Sequence, residues 1–334
     1  MAVTLKEVAV RAGVSRSAVS RTFTDGASVS AKMRLKVEKA ARDLGYSPNA
    51  LASSLTTGRT GLIGLVSDNF QNPIFLEIFD CFTRGLQERS LRPLLVNFSD
   101  SMDAEKSIRM LRQYSVDGVI VASSTLPPEY SVAFRDAGMP VVNTFGRLAP
   151  SPQVHVVGID NVESGRMAAK RLMASGYQRL AFLGGPETAT STQDRLKGFM
   201  AELEAHSSIE ASFTFAESYS FGAGRSEMLR LLKGQPAEAY FCGDDVLSIG
   251  AISAIRESGL SVPEDIGIIG LNDMMMSGWE NNALTTIGQP TQHIISSSIE
   301  LIVAMLSDPS RYPETRTYPC TVVERSTLRP IKSR

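Results

Sequence analysis

Four polar side chains lie close together in one stretch near the start of the chain. Arg16, Ser17, Ser20 and Arg21 fall within residues 14–22. Their spacing of three or four residues would place them together on the outer side of a helix. An arginine guanidinium can donate two parallel hydrogen bonds to a guanine edge, and serine hydroxyls contact bases or phosphates. The stretch therefore predicts hydrogen-bonded recognition of duplex DNA.

Three short helices are predicted to carry these side chains. Thr4 and Glu7 form a capping-box pattern at the start of the first helix, which ends at Gly13. Ser15 is predicted to cap the second helix and Ser30 the third. Apolar residues recur at helical spacing in all three helices and predict one small shared core, formed by Leu5, Val8, Ala9, Ala12, Val14, Val19, Phe23, Met33, Val37, Ala41 and Leu44. The short turn between the first two helices is typical of a helix-turn-helix.

The charge of the chain is divided unevenly. Residues 1–60 carry ten Lys or Arg and four Asp or Glu, a net charge of +6, whereas the whole chain carries −1. The remainder is therefore at −7. A basic head on an acidic body suits phosphate contact at one end. The alternative is a three-helix bundle whose basic surface has no target.

After residue 60 the pattern changes to alternation of short apolar runs with amphipathic helical stretches. This pattern predicts parallel sheets flanked by helices, and the length of the segment predicts two lobes, divided after Asp160. The apolar runs are 62–66, 94–98, 116–121, 141–144, 180–183, 239–241 and 266–271.

Polar residues follow several of these runs, at the strand ends where open α/β sheets bind ligands. The predicted ligand contacts on this ground are Phe70, Asn72, Phe75, Ser123, Asp160, Asp244 and Asn272. The alternative role for Asp160 and Asp244 is to cap the helices that follow them, and the alternative for Phe75 is a core position.

Several stretches of the first sixty residues resemble the headpiece of the lac repressor (LacI/GalR) family. They are Thr-Leu-Lys-Glu-Val-Ala, Ala-Gly-Val-Ser, Ala-Val-Ser-Arg, Val-Ser-Ala-Lys and Gly-Tyr-Ser-Pro-Asn-Ala-Leu-Ala. The resemblance implies that Arg16, Ser17 and Arg21 contact operator bases and that Leu55 wedges into the minor groove; the alternative for Leu55 is an ordinary linker residue. The full predicted DNA-contacting set is Thr4, Ser15, Arg16, Ser17, Ser20, Arg21, Ser28, Ser30, Asn49, Ala52, Ser54 and Leu55.

The body is similar to the same family in stretches such as Asn72-Pro-Ile-Phe, Arg195-Leu-Lys-Gly-Phe, Gly270-Leu-Asn-Asp and Glu324-Arg-Ser-Thr. The resemblance implies a periplasmic-binding-protein-like body of two doubly wound α/β lobes with a small polar effector, a sugar or sugar-like metabolite, between them. It adds Ile74, Ser191, Arg195 and Tyr219 to the predicted effector contacts. The alternative for Arg195 is an ion pair with Asp194 or Glu202. Asn272 stands where many sugar-responsive members carry Asp, which leaves the effector class open.

The predicted organisation is a helix-turn-helix headpiece over residues 1–46, a hinge helix and linker over 47–60, and an effector-binding body over 61–334. Lobe 1 is predicted to span about 61–160 and 291–322, and lobe 2 about 161–290 and 323–334. The expected protein is a homodimer on double-stranded operator DNA. Its dimer interface is expected along residues 75–86 and the corresponding helix of lobe 2. The chain after Pro330 carries no leucine heptad, so a tetramer is not expected.

Other function classes lack their motifs. There is no dinucleotide fingerprint, phosphate loop or nucleophile elbow, so we expect no enzyme and no cofactor. Three scattered cysteines and three lone histidines indicate neither a disulfide framework nor a metal site, and the cysteines are expected to be buried. No export or membrane segment is evident, so the expected location is cytoplasmic. A sugar-binding protein without DNA function is the remaining alternative.

Overall fold

The computed structural model describes residues 3–24, 27–47, 54, 58–98 and 104–331. The chain divides into two compact units, Met1–Thr60 and Gly61–Arg334.

The described residues of the first unit include the helices α1 (Leu5–Ala12), α2 (Arg16–Thr22) and α3 (Ala31–Leu44). The predicted capping box is confirmed, because the Glu7 N–H donates to the Thr4 hydroxyl and the Thr4 N–H donates to the Glu7 carboxylate at 2.7 Å. Ser15 and Ser30 cap α2 and α3, as predicted. Val8, Val19 and Val37 are fully buried in the shared core.

The second unit alternates strands and helices. Its strands are β1 (Leu62–Ser67), β2 (Arg92–Asn97), β3 (Gly118–Ala122), β4 (Val141–Thr144), β5 (His155–Ile159), β6 (Arg179–Gly184), β7 (Glu210–Phe215), β8 (Ala239–Cys242), β9 (Gly267–Asn272), β10 (Thr286–Gly288), β11 (Thr315–Tyr318) and β12 (Thr321–Val323). Its α-helices are α4 (Ile74–Gln87), α5 (Ala104–Gln113), α6 (Pro128–Asp136), α7 (Asn161–Ala174), α8 (Thr190–Glu204), α9 (Phe221–Leu231), α10 (Asp245–Glu257) and α11 (Thr291–Ser307).

These strands form two six-stranded sheets, one for each lobe. The order is β11-β5-β4-β3-β1-β2 in lobe 1 and β12-β10-β9-β8-β6-β7 in lobe 2. All observed pairings are parallel except that of β10 with β12. The predicted two-lobed α/β body is therefore confirmed. One boundary needs correction, because the prediction assigns Thr321 and Val322 to lobe 1 but both pair with β10 of lobe 2.

Apolar side chains from both faces of the sheets form the core of the body. In lobe 2 the rings of Phe182, Phe199 and Phe241 pack together, with centroids 5.3–6.2 Å apart. In lobe 1 α11 returns from the second lobe and buries Ile294 and Ile302 against the first sheet. The chain therefore passes between the lobes more than once.

Of the three cysteines, Cys242 alone is fully buried, and Cys81 and Cys320 are only half-buried, which corrects the expectation for these two. Burial raises the pKa of the Cys242 thiol to about 12. In the part of the chain that the structure describes, there is no group of three or more His, Cys, Asp or Glu side chains placed to hold a metal ion. No helix within the described ranges combines the length and apolar composition needed to cross a membrane.

Candidate functional site

The outer face of α2 carries the predicted recognition side chains. Arg16, Ser17, Ser20 and Arg21 are all exposed, and the other three residues of the helix, Ala18, Val19 and Thr22, are buried. Among the described residues no side chain pairs with the Arg16 guanidinium. The Ser17 hydroxyl is hydrogen-bonded to that of Ser15, and Arg21 Nε donates to the Ser17 carbonyl. Of the two arginines on this face, Arg16 is therefore the one that can contact a base edge without first breaking a described internal hydrogen bond.

The remaining predicted DNA contacts have different surroundings. Thr4, Ser15 and Ser30 are exposed but their hydroxyls cap the three helices, and Ser28 is exposed. Ser54 is half-buried, and its carbonyl oxygen accepts a hydrogen bond of 2.8 Å from the Gly58 N–H. Asn49, Ala52 and Leu55 lie outside the described residues, so the minor-groove contacts predicted for them stay predictions.

A cleft between the two lobes holds the second group of predicted site residues. The space within its walls, with the open solvent at its mouth included, is about 510 Å³. It is lined by Asn69, Asn72, Ile74, Phe75, Ile78, Ser124, Thr125, Phe145, Ile159, Asn161, Arg195, Tyr219, Asp244, Asn272 and Gln289. Five of these side chains are carboxamides, each able to donate and accept, and one wall is aliphatic and aromatic. The lining suits a small polar ligand with an apolar face.

Asp244 is at the centre of the polar side of this cleft. Its Oδ1 accepts the Val246 N–H at 2.8 Å and so caps α10. Its Oδ2 accepts the Nδ2 of Asn72 at 2.9 Å and the Nδ2 of Asn272 at 2.8 Å. Asp244 therefore caps α10, the alternative role considered from the sequence, and also lines the cleft. Since Asn72 belongs to lobe 1, this carboxyl joins the two lobes.

Burial raises the pKa of Asp244 to about 7, and the neighbouring charge of Asp245 acts in the same direction. Arg195 and the Asn72 amide oppose this shift by favouring the carboxylate. Burial also raises the pKa of Asp245, to about 6. The Asp245 side chain does not line the cleft and accepts hydrogen bonds from the Met274 N–H and from the hydroxyls of Ser277 and Thr286.

Arg195 enters the cleft from α8. Its Nε donates to Asn161 Oδ1 at 2.8 Å, and its Nη1 donates to the Gly243 carbonyl. The ion pair considered for Arg195 is wrong, because Asp194 instead forms a two-bond pair with Arg147 of lobe 1 and Glu202 lies 3.7 Å from Lys170. The arginine is 4% exposed and is held by neutral partners, so its charge is available to a ligand.

Two glycines allow α8 to approach α7 closely and so position Arg195. A Cβ at Gly165 would lie 2.1 Å from the Arg195 carbonyl oxygen, and one at Gly198 would lie 1.8 Å from the Val162 carbonyl oxygen. Both distances are far below contact distance, so any side chain here would force the helices apart.

Asn272 has an unusual backbone that the surrounding residues stabilise. Its φ is 129° and that of Asp273 is 57°, values that non-glycine residues rarely adopt. Arg325 Nη2 donates to Asp273 Oδ1 at 2.6 Å, and the Met274 N–H donates to Asp245 at 2.9 Å. These bonds on the side away from the cleft turn the Asn272 amide toward Asp244.

Comparison with known proteins decides the family. Residues 4–49 match the profile described as bacterial regulatory proteins, lacI family, and residues 169–328 match that of a periplasmic binding protein-like domain. The regulator CelR of Thermobifida fusca is 30% identical over 318 residues, which cover 93% of this chain and 94% of CelR. The chain belongs to the lacI family of bacterial regulatory proteins. The repressor CytR of Escherichia coli K12 is 28% identical over 99% of this chain and 97% of its own length.

Solved structures agree with the membership in the lacI family. The lac repressor dimer bound to operator and the anti-inducer ONPF matches with a TM-score of 0.85 and 25% identity, over 98% of this chain and 99% of that one. A CelR–cellobiose complex matches with a TM-score of 0.71 and 28% identity, over 97% of this chain and 99% of that one. Because the relatives are named as transcriptional regulators, this lacI-family chain is a regulator rather than an enzyme.

The structure brings seven of the eleven predicted effector contacts into the cleft. They are Asn72, Ile74, Phe75, Arg195, Tyr219, Asp244 and Asn272. Phe75 is at once part of the apolar core, at 7% exposed, and part of the cleft wall. Tyr219 is fixed by a 2.6 Å hydrogen bond between its hydroxyl and that of Thr192, so its ring can face a ligand.

The other four are not among the residues that line the cleft, and their contact with an effector stays a prediction. Asp160 is exposed and accepts the Glu163 N–H at 3.0 Å, so it caps α7. Ser123 is buried and donates to Asp68. Ser191 is buried with no hydrogen-bond partner for its hydroxyl among the described residues, and Phe70 packs on Phe79 at 38% exposed. Each lies only a few positions along the chain from a residue that does line the cleft.

Sequence reasoning missed several neighbouring residues that do line the cleft. Asn161 and Thr125 lie one or two residues beyond predicted positions, so a wider window at the strand ends would have included them. Phe145 follows β4 and has a φ of 66°, and Gln289 follows β10 and donates to Asn272 at 2.8 Å. The strand-end rule also applies to these last two. Phe145 follows the predicted run 141–144 but is not polar, and β10, three residues long, was not predicted as a run.

The pKa of Asp244 predicts a pH dependence of stability. Because the folded-state pKa of about 7 exceeds the ordinary value of 3.8, the folded protein retains a proton that the unfolded chain releases between these pH values. The free energy of unfolding should therefore fall as pH rises, by at most about 1.4 kcal/mol per unit, and level off above pH 7. Urea unfolding of wild type and Asp244→Asn at about pH 5, 6, 7 and 8 isolates this contribution. Equal slopes in the two proteins would contradict it.

Proposed function

We propose that this chain is a homodimeric repressor whose two headpieces bind successive major grooves of a near-palindromic operator, and whose affinity for that operator is set by a small polar effector in the cleft. The observation that carries the proposal is the exposed face of α2, with Arg16 unpaired among the described residues, in a chain whose body also contains a polar cleft. Since the proposed target is DNA, the proposal implies a cytoplasmic protein.

The charge distribution supports the DNA-binding part. The first sixty residues carry a net +6 against −7 in the rest, so phosphate attraction is concentrated at the headpiece. The solved lac repressor relative is described as a dimer bound to operator, which supports the same arrangement here. Leu55, Asn49, Ala52 and Ser54 are proposed to contact the minor groove between the half-sites.

The cleft chemistry supports a neutral polar effector. Its buried charges are one arginine and one carboxyl whose pKa is about 7, and the other polar groups are amides and hydroxyls. Hydroxyls of a sugar-like ligand would replace the Asn72 amide on Asp244 and accept from Arg195. The CelR relative was solved with cellobiose, which favours this ligand class.

The effector would act on the bonds that join the lobes. Asn72–Asp244 and Arg147–Asp194 both cross between them. A ligand that changes these contacts favours one lobe arrangement by its differential affinity, and the dimer transmits that change to the hinges. The coupling can weaken or strengthen operator binding, and a titration with and without effector determines which.

The dimer face is proposed along the outer side of α4. Within the predicted range 75–86, the apolar residues Phe75, Phe79 and Leu86 are buried in their own core. The outer side carries Leu76, which is 73% exposed, and Arg84, which pairs with Asp80. A Leu76→Glu variant that sediments as a monomer would support this face, and an unchanged dimer would oppose it.

Replacing Arg16 with alanine tests the DNA-binding part. The loss of one two-bond base contact should reduce affinity for the selected operator by about 1–3 kcal/mol and relax the preference at one base pair of each half-site. Selection from random duplexes measures the base preference, and anisotropy titration of the selected duplex measures the affinity. Arg42→Ala removes the same charge from α3 and should leave the base preference intact. An unchanged preference in Arg16→Ala would refute the assignment, and a protein with no salt-dependent duplex binding would fit the alternative of a sugar-binding protein.

A further inference from the structure

Arg34 is a basic residue of the headpiece that the charge count alone would assign to phosphate contact. It lies near the start of α3, and its Nη1 donates a hydrogen bond of 2.9 Å to the carbonyl oxygen of Thr22, the last residue of α2. Arg34 is half-buried, and Thr22 is 3% exposed. The guanidinium therefore joins α3 to the C-terminal end of α2.

The C-terminal end of α2 needs a hydrogen-bond donor from outside the helix. With only seven residues, α2 is too short to be stable alone, and its last carbonyl groups have no partner within the helix. These carbonyls carry the negative end of the helix dipole, so a cation beside them is favourable. The Thr22 hydroxyl is already used, because it donates to the Ala18 carbonyl at 2.8 Å. Arg34 supplies the donor that the Thr22 carbonyl accepts.

The Arg34 bond is one of three contacts that fix the direction of α2. Ser15 holds the start of the helix, because its hydroxyl accepts the Ala18 N–H at 3.2 Å. Val19 is fully buried in the headpiece core and holds the middle. Arg34 holds the end. Because hydrogen bonds to base edges tolerate little displacement, a change in the tilt of α2 would weaken the base contacts proposed for its outer face.

α3 places a second cation beside a preceding helix. The Nζ of Lys36 lies 3.6 Å from the position that a Cβ would take at Gly13, the residue that ends α1. Arg11 of α1 pairs with Asp43 of α3 at 3.4 Å. The basic side chains of α3 are therefore partly used within the headpiece, and α3 is the element against which the other two helices are held.

We propose that Arg34 is a positioning residue for operator recognition, which acts through α2 and does not itself contact DNA. The proposal rests on the DNA-binding function proposed above. The two roles open to this cation differ in their effect on binding. A phosphate contact adds affinity for every duplex, whereas a residue that positions the base-reading side chains adds affinity for the operator alone.

Affinities for two duplexes test the proposal. Anisotropy titrations of the full-length proteins use the selected operator and a scrambled duplex of the same length and composition, at several salt concentrations. Arg34→Met should bind the operator about tenfold more weakly, because each of the two proposed headpieces loses one partly exposed hydrogen bond, and should bind the scrambled duplex as wild type does. Arg34→Lys retains a charged donor and should restore most of the operator affinity. Arg42→Met, at an exposed position of the same helix, should leave the ratio of the two affinities unchanged.

A phosphate contact by Arg34 would give a different result. The loss of one phosphate contact in each headpiece would weaken binding to both duplexes and lower the slope of log affinity against log salt by about 2. That result, or an unchanged operator affinity in Arg34→Met, would overturn the proposal. A wild-type protein without any sequence preference would refute the proposed function instead, and the following measurement would then decide the role of Arg34.

Hydrogen exchange of the DNA-free, full-length protein tests the Arg34 contact itself. In Arg34→Met, mass spectrometry should show exchange about fivefold faster than in wild type for a peptide that covers residues 16–24, and no change for one that covers residues 5–12. Equal acceleration of the two peptides would mean that Arg34 stabilises the headpiece as a whole. No acceleration would mean that the bond does not hold α2. Either of these two results would overturn the proposal.

Discussion

Replacing Arg195 with methionine is expected to weaken effector binding by roughly 100-fold and leave effector-free operator affinity unchanged. The guanidinium lies 4% exposed in the cleft, and its Nε and Nη1 are held by Asn161 and the Gly243 carbonyl. A charge-assisted hydrogen bond contributes about 1.5–3 kcal/mol, so the loss of one such bond accounts for this factor. The headpiece is a separate compact unit, so its DNA contacts should persist.

A thermal-shift screen of small metabolites identifies the ligand for this test, because any ligand of the folded state raises its stability by mass action. Calorimetric titration of that ligand into wild type, Arg195→Met and Lys197→Met then gives the affinities. Lys197 is exposed on the same helix, and its replacement should leave effector affinity unchanged. Equal loss of effector and operator binding in Arg195→Met would indicate a folding defect, and retained effector affinity would exclude Arg195 as an effector contact.

Replacing Gly198 with alanine should destabilise the body by about 3 kcal/mol. The new Cβ would lie 1.8 Å from the Val162 carbonyl oxygen, and the obstacle is helix backbone rather than a flexible side chain. The two helices α7 and α8 must move apart where they cross, so the destabilisation should lie at the upper end of the range for overpacked cores. Because α8 carries Arg195, the opening should also separate Arg195 from Asn161 and weaken effector binding.

Gly222→Ala provides the matched control. This glycine is in α9, and an alanine Cβ at its position would have no other atom within 4 Å, so alanine should preserve stability or raise it slightly. Urea unfolding of the two variants beside wild type measures the difference. A Gly198→Ala protein as stable as Gly222→Ala would mean that the close helix crossing is not required.

The headpiece was the most predictable part of the fold. Its helices begin at side-chain caps, and a hydroxyl that accepts an N–H two or three residues later is a local interaction. Thr4, Ser15 and Ser30 therefore indicated all three helix starts, and the exposure of Arg16 and Ser17 followed from the helical period. The contacts predicted for Leu55 depend on DNA and on a second chain, which no local pattern contains.

The cleft was predictable only to within a few residues. The strand-end rule selected Asn72, Asp244 and Asn272, which all line the cleft, because the strands before them are strongly apolar and buried. The rule cannot tell which residue of a strand-end loop faces the ligand, and so it selected Asp160 where Asn161 lines the cleft. The Asp244 contact with Asn72 joins residues 172 positions apart and depends on how the lobes close.

The most direct measurement of the central claim is an anisotropy titration of the selected operator duplex with and without the ligand found in the screen. The account predicts salt-dependent binding whose affinity changes by about fivefold or more when the cleft is occupied, and it predicts that the duplex changes ligand affinity by the same factor. Operator binding that is independent of the ligand in both directions, or no sequence preference among duplexes, would contradict it.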